Sequence, residues 1–438
     1  MSIKKIVIIS ILIGEILMAT VVKKMEYKGV EIPIIYEKNK FLPIVSIQLI
    51  FRNSGNLNSP IDGLSSLSAD ILNEGTKSKG SVVFSTLLDN KAIDIHSSVG
   101  RESFSIDVSS LKDNFKDGID RLVELLSEPN YTQEALTQIK YKKFGWLEQK
   151  KSDYAYISSK NLRSIIFKDT PLARNYDGDV KSIESIKLKD IKDYINSHLG
   201  YNNLIVIAGG DIKFQEVEKY VSKIVKLFPK TDTKSIKSFK ASDKKTTSIL
   251  YEDSEQANIF FASPFYFSYK EKEQHLAKIA EYILGGGGFG SRMMEELRVK
   301  RGLTYGVYAS LRRTKLVSYL SGYIQTKIEK QDEAQKLLQS VVDEFVQKGI
   351  TQKELDDTKK FLLGSQPLRV ETLSQRLSRA YSDFYYKREL DFSQKELKNI
   401  EKTTLKEINE FIKSHKELSK LTFSIVTKKE RKKDNKKD

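Results

Sequence analysis

One succession of strand and helix signals runs through this 438-residue chain twice, and that repetition restricts the fold more than any other feature. Val45–Arg52 (VSIQLIFR) alternates apolar and polar residues, as a half-buried strand does. Helical patterning follows from Gly63 and around Val82–Leu88, then strand-like runs at Ile93–Val99 and Ser103–Val108. Helical stretches at Asn114–Leu126 and Thr132–Lys150 complete the unit. The second half repeats the order: a strand at Asn258–Phe265, helices at Glu271–Leu284 and Ser291–Arg301, strands at Tyr305–Arg312 and Val317–Gln325, and helices at Asp332–Lys348 and from Thr351 onward. The opening of the last helix echoes its counterpart. Thr132-Gln133-Glu134-Ala135-Leu136 matches Thr351-Gln352-Lys353-Glu354-Leu355, each with Thr as cap and a Glu in the first turn.

Such a repeat predicts an α+β fold of two homologous domains, each a mostly antiparallel sheet with helices packed on one face. Asn203–Gly210 (NLIVIAGG) reads as a buried strand late in the first domain, and Lys230–Thr247, rich in Lys, Thr, Ser and Asp, as the linker. The expected limits are 21–229 and 248–427, with a charged, disordered tail over 428–438.

The N-terminus carries Lys4 and Lys5, an apolar run Ile6–Ile13 and a small residue, Ala19, at a candidate cleavage point. Residues 1–20 therefore read as a signal segment, too short to span a bilayer, and the mature chain is expected to be periplasmic or otherwise exported, with no stable membrane span. The formal net charge of +16 would permit nucleic-acid contact. The lysines are spread over the whole chain, however, and none of their runs is interleaved with aromatics, so no nucleic acid is expected. Cysteine is absent, which excludes disulfides, thiolate metal sites and thiol nucleophiles.

The most specific motif is Gly285–Tyr308, GGGGFGSRMMEELRVKRGLTYGVY. Glycine before a helix can cradle phosphate, but no Gly-Lys-Ser/Thr follows here, which argues against a nucleotide loop. Together with the duplicated halves, Phe41–Gln48 and Gly63 through Gly75-Thr76, the motif resembles the pitrilysin/insulinase-type zinc metallopeptidases, more narrowly their short bacterial and mitochondrial-processing-type members. The resemblance covers about Met25 to Phe423. It implies that Arg298 and Tyr305 hold the substrate peptide: a planar fork of donors for peptide carbonyls, and a hydroxyl that steadies the carbonyl under attack.

The same resemblance places a His-x-x-Glu-His zinc helix between Gly63 and Gly75-Thr76. There the chain departs from the pattern. Ser66 and Asp70 stand at the two His positions and Ala69 at the Glu; Glu148 lies near the third-ligand position. Two carboxylates and a hydroxyl, with no imidazole, make a poor zinc set. Leu64, Leu67 and Ile71 keep core-facing spacing, so the helix should persist as scaffold. His96, His198, His275 and His415 are scattered without ligand-like spacing.

The expectation is thus a chain with no catalytic residue, metal or cofactor of its own. It would act as the substrate-binding subunit of a heterodimeric zinc metallopeptidase, whose sister chain supplies the His-x-x-Glu-His helix and the zinc. Unfolded peptides would be its substrates. The alternative is a non-proteolytic scaffold or peptide-binding core-type subunit.

Overall fold

A computed structural model describes residues 20–232 and 234–429. The expected signal segment, apart from Thr20, and the tail beyond Lys429 lie outside the described residues. The first sheet has six strands: β1 (Val21–Tyr27), β2 (Val30–Lys38), β3 (Ile44–Arg52), β4 (Asp94–Val99), β5 (Ser103–Leu111) and β6 (Leu204–Gly210). Their order is β1-β2-β6-β3-β5-β4. The second has five: β7 (Thr247–Tyr251), β8 (Gln256–Pro264), β9 (Thr304–Arg313), β10 (Ser318–Lys327) and β11 (Thr422–Thr427), ordered β7-β11-β8-β10-β9.

Once β1 is set aside, the two sheets superpose in topology. In each, a single parallel pair (β2 with β6, β7 with β11) joins an antiparallel remainder. The sequence echo marks the same helix in both halves. Thr132 accepts the Ala135 amide at 3.2 Å, and Thr351 and Glu354 form a reciprocal capping box. The expected duplicated α+β fold is what the chain adopts.

Helices α1 (Leu64–Leu72), α2 (Gly80–Asp89), α3 (Phe115–Ser127) and α4 (Gln133–Lys150) belong to the first half. Leu64, Leu67 and Ile71 enter its core as their spacing predicts. The opposite face of each sheet receives one helix from the other half. Helix α5 (Tyr154–Ile166) lies across β8 and β11, with Ser158 donating to the Ser424 carbonyl at 2.7 Å. In return the Leu373–Tyr385 helix crosses β2 and β6, burying Leu377 and Ala380 against Ile35, Ile50, Ile205 and Ile207.

The segment expected as a linker is packed against the rest of the chain. Ile236, Phe239 and Ala241 pack with Leu162, Ile166 and Tyr319, and the Phe239 amide donates to Leu316 at 2.6 Å. No described helix is long and apolar enough to cross a membrane.

One ion pair fixes the exchange. Glu37 on β2 is 1% exposed, and Arg376 donates to it from Nε at 2.9 Å and Nη2 at 2.7 Å. Arg376 also holds the carbonyls of Val370 and Glu371, and Thr20 donates its hydroxyl to Glu37. Removing one member leaves a buried charge without its counterion, which costs about 3–5 kcal/mol. Arg376→Met should lower stability by that order in urea denaturation, and Glu37→Gln added to it should restore part of the loss.

Candidate functional site

The first candidate cleft lies where α1 meets α4. Gly63, at φ +88°, turns the chain into α1, and Ser68 bonds back to the Leu64 carbonyl at 2.8 Å. Ser66 and Asp70, four residues apart, share one half-buried face; Ala69 is buried and contributes no polar atom. Burial raises the Asp70 carboxyl above the ordinary carboxylate range, against the opposing pull of Lys143.

Lys143 reaches this cleft from α4. Burial lowers its pKa, while Asp177 and Asp70 oppose that shift. Its ammonium sits 4.3 Å from the centre of the Trp146 ring, which meets Tyr156 edge-on at 5.7 Å. Tyr156 donates its hydroxyl to Asp177 at 2.8 Å. The α1 face therefore has a lysine ammonium close enough for its charge to act on Asp70 and Asp177. Glu148, expected near the third-ligand position, points outward: its side chain is 71% exposed and pairs with Lys151 at 2.6 Å.

These residues do not fit zinc. A hydroxyl, one carboxylate and an ammonium offer neither the nitrogen or sulfur donors nor the charge that a zinc site requires. Among the described residues no group of three His, Cys, Asp or Glu is placed to hold a metal ion. The histidines stay apart: His198 stacks on Tyr194, His415 pairs with Glu417 at 2.8 Å, and His275 is held by burial below its usual pKa.

The edge strand beside α1 is capped at one residue. The Asn73 carboxamide, at the end of α1, accepts the Ser97 amide at 2.8 Å and donates to the Ser97 carbonyl at 3.0 Å. Both outward backbone groups of Ser97, one of the six residues of β4, are consumed.

The second candidate site is the glycine-rich segment. Where the sequence suggests continuous helix, Gln274–Glu281 widens into a π-helical turn at Tyr282–Gly286. Likewise Arg292–Met294 opens into a second wide turn at Glu295–Val299. Such turns are rare and frequent at functional sites. Gly285 permits the first, since a Cβ there would lie 2.6 Å from the Cβ of Ala309 on β9.

The second wide turn carries Arg298, and β9 begins just after it. The Leu303 amide bonds to the Leu297 carbonyl at 2.8 Å and Gly302 to Arg298 at 2.9 Å, fixing the turn to the strand. The neighbouring cations are committed to carboxylates. Arg292 forks onto Glu354 at 2.5 and 2.8 Å, and Lys300 and Arg301 both reach Glu296 at 2.6 Å. Arg298 meets no carboxylate within 4.0 Å among the described residues; its guanidinium lies 4.7 Å from the centre of the Phe289 ring. Tyr305 is 87% exposed, and Tyr308, three positions on, and Phe289 are exposed as well.

Sequence reasoning missed Lys143, Trp146, Asp177 and Asn73. Periodicity places the first two on a helix but gives no hint that they turn toward α1.

This fold, with a cleft chemically unsuited to zinc and an intact glycine-rich segment, defines a metallopeptidase relative without a metallopeptidase centre. The chain belongs to the M16 peptidase family, the pitrilysin/insulinase type expected from its sequence, as a member lacking the zinc motif. Residues 185–362 match the family model described as the peptidase M16 inactive domain. The chain is 42% identical over 429 residues to the non-peptidase homologue YmxG of Helicobacter pylori, covering 97% of this chain and 99% of that protein. The peptidase M16 inactive domain of Pseudomonas fluorescens shares the fold at a TM-score of 0.84 and 22% identity, over 93% of this chain and 98% of that one. The periplasmic protease PqqL of Escherichia coli matches at 0.75 and 11% identity over 93% of this chain but 46% of its own length. A structure of its first half alone matches over 92% of that chain.

The role of Lys143 as resident cation can be tested by pH. A buried acid whose folded pKa is raised binds protons more tightly when folded, so stability falls as pH rises above about 4, the ordinary carboxylate value. Lys143→Met removes the largest opposing charge and pushes the Asp70 carboxyl higher still. The melting temperature of the variant should drop more steeply than that of the wild type as pH rises above about 4, and equal slopes would refute the assignment.

Proposed function

We propose that this chain is the non-catalytic, substrate-binding subunit of a heterodimeric zinc metallopeptidase that degrades or processes peptides. The sister chain would carry the His-x-x-Glu-His helix and the zinc. One contrast carries this reading: Lys143 and the Asn73-capped β4 border the chain's own α1 face, whereas Arg298 meets no carboxylate among the described residues and Tyr305, seven positions on, is exposed. An arginine held in place by ring contact alone keeps its donors available for peptide carbonyls.

The likeness to PqqL supports a paired arrangement, because the chain matches about half of that longer polypeptide. PqqL is periplasmic by its description, which agrees with export of this chain through its N-terminal segment. Substrates would be unfolded peptides, gripped here and cut at the partner's metal.

The test is reconstitution with the sister chain. The isolated chain should show no peptidase activity. In the assembled enzyme, Arg298→Ala should lower kcat/KM by about 100-fold, the order expected for losing one positioned donor, with assembly unchanged by size-exclusion chromatography. An intact complex with wild-type kcat/KM would instead make the chain a scaffold.

A further inference from the structure

Between α5 and the outer face of the second sheet lies a cavity of 530 Å³, closed on one side by the β4–β5 turn of the first half. Its walls are about evenly polar and apolar: Phe167, Phe260 and Tyr319 stand among them, and three arginines line it, Arg101 from the β4–β5 turn, Arg163 from α5 and Arg312 from β9. Glu102, the carboxylate in the lining, already accepts the hydroxyl of Tyr385. Arg163 stacks over Tyr176, its guanidinium carbon 5.3 Å from the ring centre. Its Nε and Nη2 are buried and meet no acceptor among the described residues. Buried donors that lack an acceptor are costly, and a planar carboxylate answers the fork geometry of a guanidinium.

The cavity is also aligned with the exposed Tyr308. Along β9, Val307, Ala309 and Leu311 face the core, so Tyr308, Ser310 and Arg312 share the outer face. Tyr305 and Arg312 are seven positions apart, about 24 Å of extended chain. We propose that this cavity is a carboxylate subsite, in which Arg163 with Arg101 and Arg312 takes an acidic group of the bound peptide, about seven residues from the segment gripped at Arg298 and Tyr305. This rests on the peptide-binding reading given above. Both sources of the acid, a peptide C-terminus and a Glu or Asp side chain, present the same chemistry.

The test is fluorescence anisotropy on the full chain with three labelled, unstructured twelve-residue peptides: one ending in a free leucine carboxylate, its C-terminal amide, and the amide with glutamate as penultimate residue. A charge-assisted pair is worth about 1.5–3 kcal/mol, so wild type should prefer a carboxylate-bearing peptide over the plain amide by roughly 10- to 100-fold. Arg163→Met should abolish that preference, and Arg312→Gln, at the exposed rim, should reduce it even if Arg163→Met fails to fold. The peptide that loses affinity identifies the source of the acid. Equal affinity for all three peptides in the wild type, with Arg298→Ala still weakening each, overturns the subsite and leaves the peptide-binding reading standing. If none of the peptides binds, both fall.

Discussion

The structure depends on an exchange of helices between its halves. Each sheet is apolar on both faces, and its own helices cover only one. The second face of the first sheet waits for Leu377 and Ala380, which the chain supplies more than 160 residues after β6. The second face of the second sheet waits for α5, made before any of its strands. Burial of apolar area is what stabilises a fold, so neither half reaches a finished core alone. The Glu37–Arg376 pair adds direction, because it accepts one placement of the Leu373–Tyr385 helix and leaves a buried charge exposed to cost in any other.

The exchange also explains the shape of the spaces left over. Helices that cross a sheet on its far face cover only its middle strands, and the uncovered margins become cavities. One margin, beside α5, gathers arginines from both halves, so it exists only because the halves interlock. The glycine-rich segment, by contrast, is local: Gly285 lets a wide turn approach β9, and the turns that follow set Arg298 at the head of that strand.

Much of this was legible in the residues. The repeated order of elements gave the two sheets, Leu64, Leu67 and Ile71 marked the buried face of α1, and Thr132 and Thr351 marked helix starts. The exchange was not. Leu373, Leu377, Ala380 and Phe384 have helical spacing, but periodicity reports an apolar face and never the sheet that receives it. The wide turns escaped too, because side chains at i and i+4 read alike through an α-helix and a short π-helical stretch. For the cleft, the missing His residues were plain in the sequence, whereas the cation that stands in their place comes from a helix more than 70 positions away.

A last consequence belongs to Asn73. An exposed strand edge is a template on which any extended chain can grow, and proteins that meet unfolded polypeptides are most at risk of seeding aggregates there. By spending one carboxamide on both backbone groups of Ser97, the first sheet ends in a side chain that mimics a neighbouring strand one residue long. At that residue the edge offers no free backbone group to an added strand.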